Sequence, residues 1–239
     1  MKIAVISDIH GNIEALNTVL EDIKVHNCDK IICLGDLVGY GPHPNEVIEK
    51  IIESKISTIM GNYDEAVGFY LPHCGCNIDT EARKRQSKNS LKWTSENTTE
   101  EHKAFLRQLP EEQEYECQEK IIYATHGSPF AINEYIYGHQ EERLQELAEE
   151  VEADIILLGH THMPFVKRIG GKTIMHPGSV GKPKDGDNRA GYGLIEIKES
   201  IECKLVRVSY DINKVVEDIN QTSLLKEFGL MLSLGKMIE

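Results

Sequence analysis

The sequence predicts an α/β fold, on three observations. Five short apolar runs, KIAVI, KIICL, ISTIM, KIIYA and DIILL, read as buried β-strands, because strands covered on both faces carry continuous apolar residues. Helical patterns separate the first three runs, so the chain opens β-α-β-α-β, which implies a parallel sheet with right-handed crossovers. Each run leads into a block that combines glycine with carboxylate, amide or imidazole side chains: ISDIHGN, CLGDLVGYG, MGNYDEA, ATHGSP and LGHTHMP.

The elements follow in order. Asn12 is placed to cap a helix whose Ile13, Leu16, Leu20 and Ile23 share one face. A second strand covers residues 30–34, and Pro44 then opens a helix with Val47, Ile48, Ile51 and Ile52 aligned. The third strand is expected at 56–60. From about 65 to 110 the chain turns more polar and carries two helical patterns, near 80–95 and 99–109. This stretch reads as a helical insertion within a single domain spanning 1–239. A strand pair near 114–117 and 120–124 precedes an acidic helix near 140–151, and the strand 154–158 leads to the His160 block. Gly170-Gly171 turns a hairpin between 165–168 and 172–175, and 191–197 pairs with 202–208. Asp211 caps a helix with Ile212, Val215, Val216 and Ile219 aligned. The apolar tail 224–234 packs as a last helix, and its Leu230-Met231-Leu232 serves either the core or a dimer contact, leaving a homo-oligomer open.

At 239 residues, 40% hydrophobic and 27% charged, the chain can bury the core of one large domain. Asp+Glu 39 against Lys+Arg 26 leaves a net charge of −13, which disfavours long nucleic acid. An anionic substrate stays open, because bound divalent metals invert the local field. No apolar run approaches the ~20 residues of a membrane span, and Met1 leads directly into the first strand. A cytoplasmic location is therefore expected. The cysteines follow no metal-binding spacing: Cys74-Gly75-Cys76 lacks a second ligand pair and reads as reduced loop thiols.

Seven residues in the five blocks carry the chemistry: Asp8, His10, Asp36, Asn62, His126, His160 and His162. An Asp-x-His or His-x-His pair turns two side chains toward one ion, either on a loop or by strand alternation. Any one of these residues alone reads as a turn former or a structural histidine. Five blocks at once read as a two-metal hydrolytic site. His26 and His102 fall in helical patterns and read as surface residues.

ISDIHGN, GDLVGYG, GNYD, THGSP and GHTH together resemble the five-block signature of the calcineurin-like metallophosphoesterase superfamily, over residues 1 to about 219. GDLVGYGPHPNEVI, LKWTSENT and HPGSVGKPKDGDNRAGY also resemble a bacterial and archaeal branch described as predicted phosphodiesterases. The resemblance implies a four-layer α/β-β/α sandwich of two facing mixed sheets flanked by helices, with metals at the strand C-terminal edge. It implies one ion on Asp8, His10 and His162, a second on Asn62, His126 and His160, and Asp36 between them. Carboxylate, imidazole and amide ligands without thiolate suit manganese, iron, nickel, cobalt or zinc. Two such ions about 3.5–4 Å apart share a bridging water acidic enough to supply hydroxide, and they clamp phosphoryl oxygens.

The chain departs from the protein serine/threonine phosphatases of that superfamily at two positions. Tyr63 stands where they carry a histidine that protonates the leaving group, and Tyr40 where they carry a phosphate-gripping arginine. Tyrosine, with an ordinary pKa of ~10, is a poor proton donor at neutral pH. The expected activity is therefore hydrolysis of a small nucleotide-like phosphodiester, with Asn62, Tyr63 and His126 as catalytic candidates. Alternatives are a phosphomonoesterase or dinucleoside-polyphosphate hydrolase, a nuclease, or a non-catalytic metal-binding scaffold; the filled ligand positions count against the scaffold. Tyr40 and Arg189 are the substrate-binding candidates, Arg189 because guanidinium matches two phosphate oxygens, unless it pairs with Asp185 or Asp187. Lys84, Lys88 and Lys92, with Arg83 and Arg85, form a basic helical stripe that reads as a solvated face. His176 is expected to support the site as a hydrogen-bond donor behind the ligands.

Overall fold

The structure, a computed structural model, describes residues 1–77 and 79–238. Ile78, within the stretch read as an insertion, and Glu239 lie outside the described residues. In chain order the first half comprises β1 (Lys2–Ile6), α1 (Ile13–Val25), β2 (Lys30–Cys33), α2 (Pro44–Glu53), β3 (Ser57–Thr58), α3 (Asn62–Gly68), α4 (Glu81–Asn97) and α5 (Glu100–Leu106). There follow β4 (Glu112–Cys117), β5 (Lys120–Thr125), α6 (Glu141–Glu150), β6 (Ile155–Leu157), β7 (Phe165–Ile169) and β8 (Lys172–His176). The chain ends with β9 (Ala190–Ile197), β10 (Ile201–Val208), α7 (Ile212–Asn220) and α8 (Glu227–Leu234).

These strands form two mixed five-stranded sheets, β10-β9-β1-β2-β3 and β4-β5-β6-β8-β7. In the first, β1, β2 and β3 run parallel and the β9–β10 hairpin joins β1 antiparallel. In the second, β5, β6 and β8 run parallel between antiparallel edges β4 and β7. Strand alternation sends Ile3, Val5, Ile32 and Leu34 into the core shared with Ile122, Ala124, Ile155, Leu157 and Met175 of the other sheet. The opposite faces pack on helices, with Ala4, Ile6 and Cys33 against α1 and α2, and Tyr123, Ile156 and Ile174 against α6. Burial on both faces is why those runs are continuously apolar.

Two features depart from the sequence reading. The third strand is only two residues long, because Ile59 N still bonds Cys33 O but Met60 N turns to Pro110 O. An additional helix, α3, begins at Asn62 itself, with the Asp64 side chain accepting from Gly61 N at its start. Between β3 and β4 lie α3, α4 and α5, the latter two capped by Thr80 and Thr99. At the C-terminus Met231 and Leu232 are buried with Phe228, Val215 and Trp93, whereas Leu230 is half exposed. No helix among the described residues is long and apolar enough to cross a membrane.

Candidate active site

The loops after β1, β2, β3, β5 and β6 converge on one rim. Asp8 and His10 lie beyond the end of β1 with φ +55° and +50°, Asp36 has +54°, and His160 and His162 have +69° and +63°. The loop option for these pairs is therefore the one realised. Left-handed backbone is unfavourable for residues with a Cβ, and such strain collects at functional sites. Neighbouring main chain holds it in place: Asp8 N donates to Gly35 O, Ile9 N and His10 N to Asp36 O, and Gly11 N to Leu37 O. The crossing is tight. A Cβ on Gly35 would come within 2.3 Å of Gly61 N, and one on Gly61 within 2.1 Å of Asp36 N, so both positions exclude any side chain.

The buried Asp64 carboxylate ties this crossing together, accepting from Leu37 N (2.9 Å), Val38 N (3.3 Å) and Gly61 N (3.0 Å). Sequence reasoning overlooked Asp64, although it sits in the same GNYD block as Asn62. From the other side, Ser179 Oγ donates to Asp8 O and accepts from Lys182 N, folding the loop after β8 over the first block. Ser7 Oγ donates to Asp8 Oδ2 at 2.7 Å.

The side chains gather into two groups, Asp8 with His10 and His162, and Asp36 with His126 and His160, the candidate ligand atoms of each lying within 4.8 Å of one another. Asp36 Oδ2 stands between the groups, 3.5 Å from Nε2 of both His10 and His126, while its Oδ1 accepts from Tyr63 N at 2.8 Å. Asn62 joins the second group: its Oδ1 is 3.1 Å from His126 Nε2 and 2.9 Å from His160 Nδ1, and its Nδ2 donates to Cys74 O.

Backbone carbonyls fix the histidine tautomers. His10 donates Nδ1–H to Val38 O, His126 to Leu34 O and His162 to Lys182 O. In the neutral rings each Nε2 is then a lone-pair acceptor. Two such acceptors, on His10 and His162, face each other at 3.2 Å, whereas His126, held protonated by Asp36, donates Nε2–H to the Asn62 oxygen. Asp8 Oδ1 and His160 Nε2 are buried with no hydrogen-bond partner among the described residues. Acceptors crowded against acceptors in a buried site call for cations, so the donor set fits bound metal.

Electrostatics agree. Burial pushes the His10 imidazole down to about 3 and holds His160 and His162 well below the ordinary histidine value, so these rings are neutral. Burial raises Asp8 to about 6. Burial opposes charge on His126 and Asp36 too, but their mutual attraction prevails, raising His126 to about 9 and holding Asp36 well below the usual carboxylate range.

The site opens into a cavity of about 720 Å³. Tyr63 and Tyr40 both line it, ring centroids 5.0 Å apart, and both rings stand edge-on to His10. The Tyr63 hydroxyl is buried and has no hydrogen-bond partner among the described residues. Burial keeps both phenols protonated, raising them well above their ordinary value.

Arg189 requires a correction as a cavity cation. It is exposed, forms a two-pronged ion pair with Asp187, and is absent from the cavity wall. The basic side chains lining the cavity are Lys182 and Lys184, seven and five residues earlier in the same loop, with Arg83 of α4 and Lys236. Burial lowers Lys184 below and Lys182 well below the ordinary lysine value. Lys182 is buried with its Nζ 4.1 Å from the Tyr40 ring and no carboxylate partner among the described residues. Lys84 and Lys92 are exposed and pair with Glu81 and Glu96 along their own helix. His176 is buried and its Nδ1 accepts from Gly178 N, so in this arrangement it braces its own turn.

Comparison with known proteins matches this geometry to a family. The family model for the calcineurin-like phosphoesterase superfamily domain matches residues 1–200. An uncharacterized protein of Methanocaldococcus jannaschii is 35% identical over 254 aligned positions, covering 98% of each chain. The phosphodiesterase YfcE of Escherichia coli is 26% identical, covering 82% of this chain and 88% of its own. The crystal structure of a metallophosphoesterase from Sphaerobacter thermophilus superposes with a TM-score of 0.80 at 28% identity, covering 98% of this chain and 99% of its own. With two mixed sheets flanked by helices and clustered metal-ligating side chains at their rim, the chain belongs to the calcineurin-like phosphoesterase superfamily and is a hydrolase of phosphate esters.

Proposed function

We propose that the protein is a dinuclear metal-dependent phosphodiesterase acting on a small nucleotide-like ester in the cytoplasm. The observation that carries this reading is the position of Asp36 Oδ2, equidistant at 3.5 Å from His10 and His126 in the two ligand groups. Asp8, His10 and His162 would hold one ion, Asn62, His126 and His160 the other, and Asp36 both. The oxygen and nitrogen donor set favours manganese, iron, nickel, cobalt or zinc. When bound, the ions supply Lewis acidity and water acidic enough to act as hydroxide near neutral pH. Six cysteines without a disulfide are consistent with the cytoplasm.

The protein's own groups do the rest. Val38 O, Leu34 O and Lys182 O fix the imidazole orientations, so the site needs no rearrangement before it binds substrate. Lys182 and Lys184, lowered by burial, take up a proton as the ester's negative charge enters the cavity and hold it there, and the Tyr40 ring beneath Lys182 is part of the same wall. Tyr63 keeps its proton and offers it as a hydrogen bond to a phosphoryl or leaving oxygen. Water adds to phosphorus as the bond to the leaving alkoxide breaks, giving a monoester and an alcohol. A phenol so reluctant to ionise protonates a basic leaving group poorly, which favours diesters with acidic leaving groups.

The test is a substrate panel after reconstitution with each metal, comparing bis-p-nitrophenyl with p-nitrophenyl phosphate and using Asp36→Asn as the inactive control. Preference for the diester is expected. A clear preference for the monoester overturns the diesterase assignment.

A further inference from the structure

Between β5 and β6 the segment Tyr135-Ile136-Tyr137-Gly138-His139 carries a feature that metal binding does not require. The segment ends in a turn closed by Gln140 N on Tyr137 O, and its side chains divide between two sides. Ile136 is buried at 1% exposure in the cluster with Leu144, Leu147 and Phe165, while Tyr135, Tyr137 and His139 turn to the cavity wall. These three rings form a row that starts at the metal-ligand candidate His160. Centroid separations are 4.2 Å from His160 to Tyr135, 6.3 Å on to Tyr137 and 5.6 Å on to His139. The last two steps are nearly parallel, with interplanar angles of 25° and 18°.

The inner end of this row has a structural role, because Tyr135 packs on His160 and accepts a hydrogen bond from Asn77 N. The outer end does not share it. Tyr137 is only half-buried and His139 is exposed, yet their rings keep one orientation and line the same cavity as Lys182, Lys184 and Arg83. A row of aromatic faces beginning at the reaction centre, in a cavity also lined by lysines without a carboxylate partner among the described residues, matches an anionic ester with a flat heteroaromatic substituent. Stacking of a base on aromatic side chains tolerates any base, since each has a π face.

We propose that Tyr135, Tyr137 and His139 form a nucleobase subsite, and that the substrate carries a nucleoside on the phosphate bound at the metal centre. This rests on the phosphodiesterase reading for the position of the phosphate. Tyr137 is the specificity-determining residue, and the base lies against the outer part of the row.

Isothermal titration of the metal-reconstituted protein with AMP, and with the corresponding ribose phosphate lacking a base, tests the subsite directly. The wild type is expected to bind AMP at least about tenfold tighter, the gain typical of stacking one base. In Tyr137→Ala that preference falls below about twofold, and in Tyr137→Phe, which keeps the π face, it persists. Equal affinity for the two ligands in the wild type, or an undiminished preference in a folded Tyr137→Ala, overturns the proposal. Hydrolysis of bis-p-nitrophenyl phosphate by the wild type separates the two readings. Turnover without a base preference removes the subsite alone, whereas a base preference without turnover removes the diesterase assignment and keeps the subsite.

Discussion

His10 and His162 meet Nε2 to Nε2 at 3.2 Å, each having already committed its Nδ1–H to a backbone carbonyl. Burial keeps both rings neutral, so two lone pairs oppose each other in the cavity wall. Such a pair is repulsive until a cation comes between or beside the two nitrogens, and the cost is borne by the fold.

Metal removal is therefore expected to destabilise the protein as well as silence it. At a free metal concentration about 100-fold above its dissociation constant, binding stabilises by roughly 2.7 kcal/mol per ion. For a domain of this size that corresponds to a melting temperature lower by roughly 5–10 °C for each ion removed by chelation. Differential scanning calorimetry with and without chelator, followed by manganese add-back, checks it. An unchanged melting temperature would contradict metal binding by these histidines.

Asp64 gives a second test. Asp64→Ala leaves the amides of Leu37, Val38 and Gly61 without their acceptor, in a buried crossing. Each orphaned buried donor costs about 1–3 kcal/mol, relieved in part by local relaxation, so a loss of roughly 2–4 kcal/mol is expected in thermal or urea unfolding. Metal content should fall too, because the same crossing sets the left-handed backbone of Asp36. A variant with wild-type stability and metal content would make Asp64 a bystander.

How much of this was legible follows from where the information sits in the chain. The convergence of Asp8, Asp36, Asn62, His126 and His160 could be anticipated because each follows an apolar run and all but Asp8 adjoin a glycine, and both signals are local. The third strand was read too long, since ISTIM is apolar throughout but the ladder ends when Met60 N finds Pro110 O, fifty residues away. Asp64 was hidden because its partners are backbone amides of another block, which no spacing reveals. Arg189 stood as the phosphate clamp for its guanidinium, with pairing to Asp185 or Asp187 as the alternative, and the path of the loop realises the pairing to Asp187 and brings Lys182 to the cavity instead. Ser179 pins the start of that loop to Asp8 O, carrying Lys182 over the site, and Asp187 captures Arg189 two residues away. The left-handed conformations of Asp8, His10 and His162 have no sequence marker at all in residues other than glycine.

The contrast between those two cations is itself a prediction. Burial lowers Lys182 well below the ordinary lysine value, and the negative charge of a bound ester holds the amine protonated, so Lys182→Ala should lower kcat/KM by about 10- to 100-fold, the range for a charge-assisted hydrogen bond. Arg189→Ala should leave kcat/KM within about twofold, because a surface ion pair contributes little. Its effect should appear in acid stability instead. Arg189 lowers the Asp187 carboxyl to about 2, so the pair contributes stability above the ordinary carboxylate value that is lost as pH falls toward 2. The melting temperatures of Arg189→Ala and the wild type should therefore converge between pH 4 and 2, and differ slightly above that window. A large catalytic loss in Arg189→Ala would return it to the active site.

On the proposed reading, Tyr63 sets the choice between diester and monoester. Its amide is fixed by Asp36 Oδ1, its ring is buried against Tyr40 and His10, and its hydroxyl has no partner among the described residues. The ring therefore stands in the cavity wall with its hydroxyl proton unspent, and burial makes that proton harder still to remove. Tyr63→Phe should lower kcat by about tenfold on a diester with an acidic leaving group, since one hydrogen bond to a developing charge is lost. Tyr63→His substitutes a group that titrates near neutrality, and general acid catalysis is worth about 10²–10⁴-fold where the leaving group is basic. The ratio of monoester to diester turnover should rise accordingly in Tyr63→His, measured with an alkyl phosphate against bis-p-nitrophenyl phosphate. An unchanged ratio in both variants would mean that Tyr63 only closes the cavity wall, and that leaving-group preference is set by the metals alone.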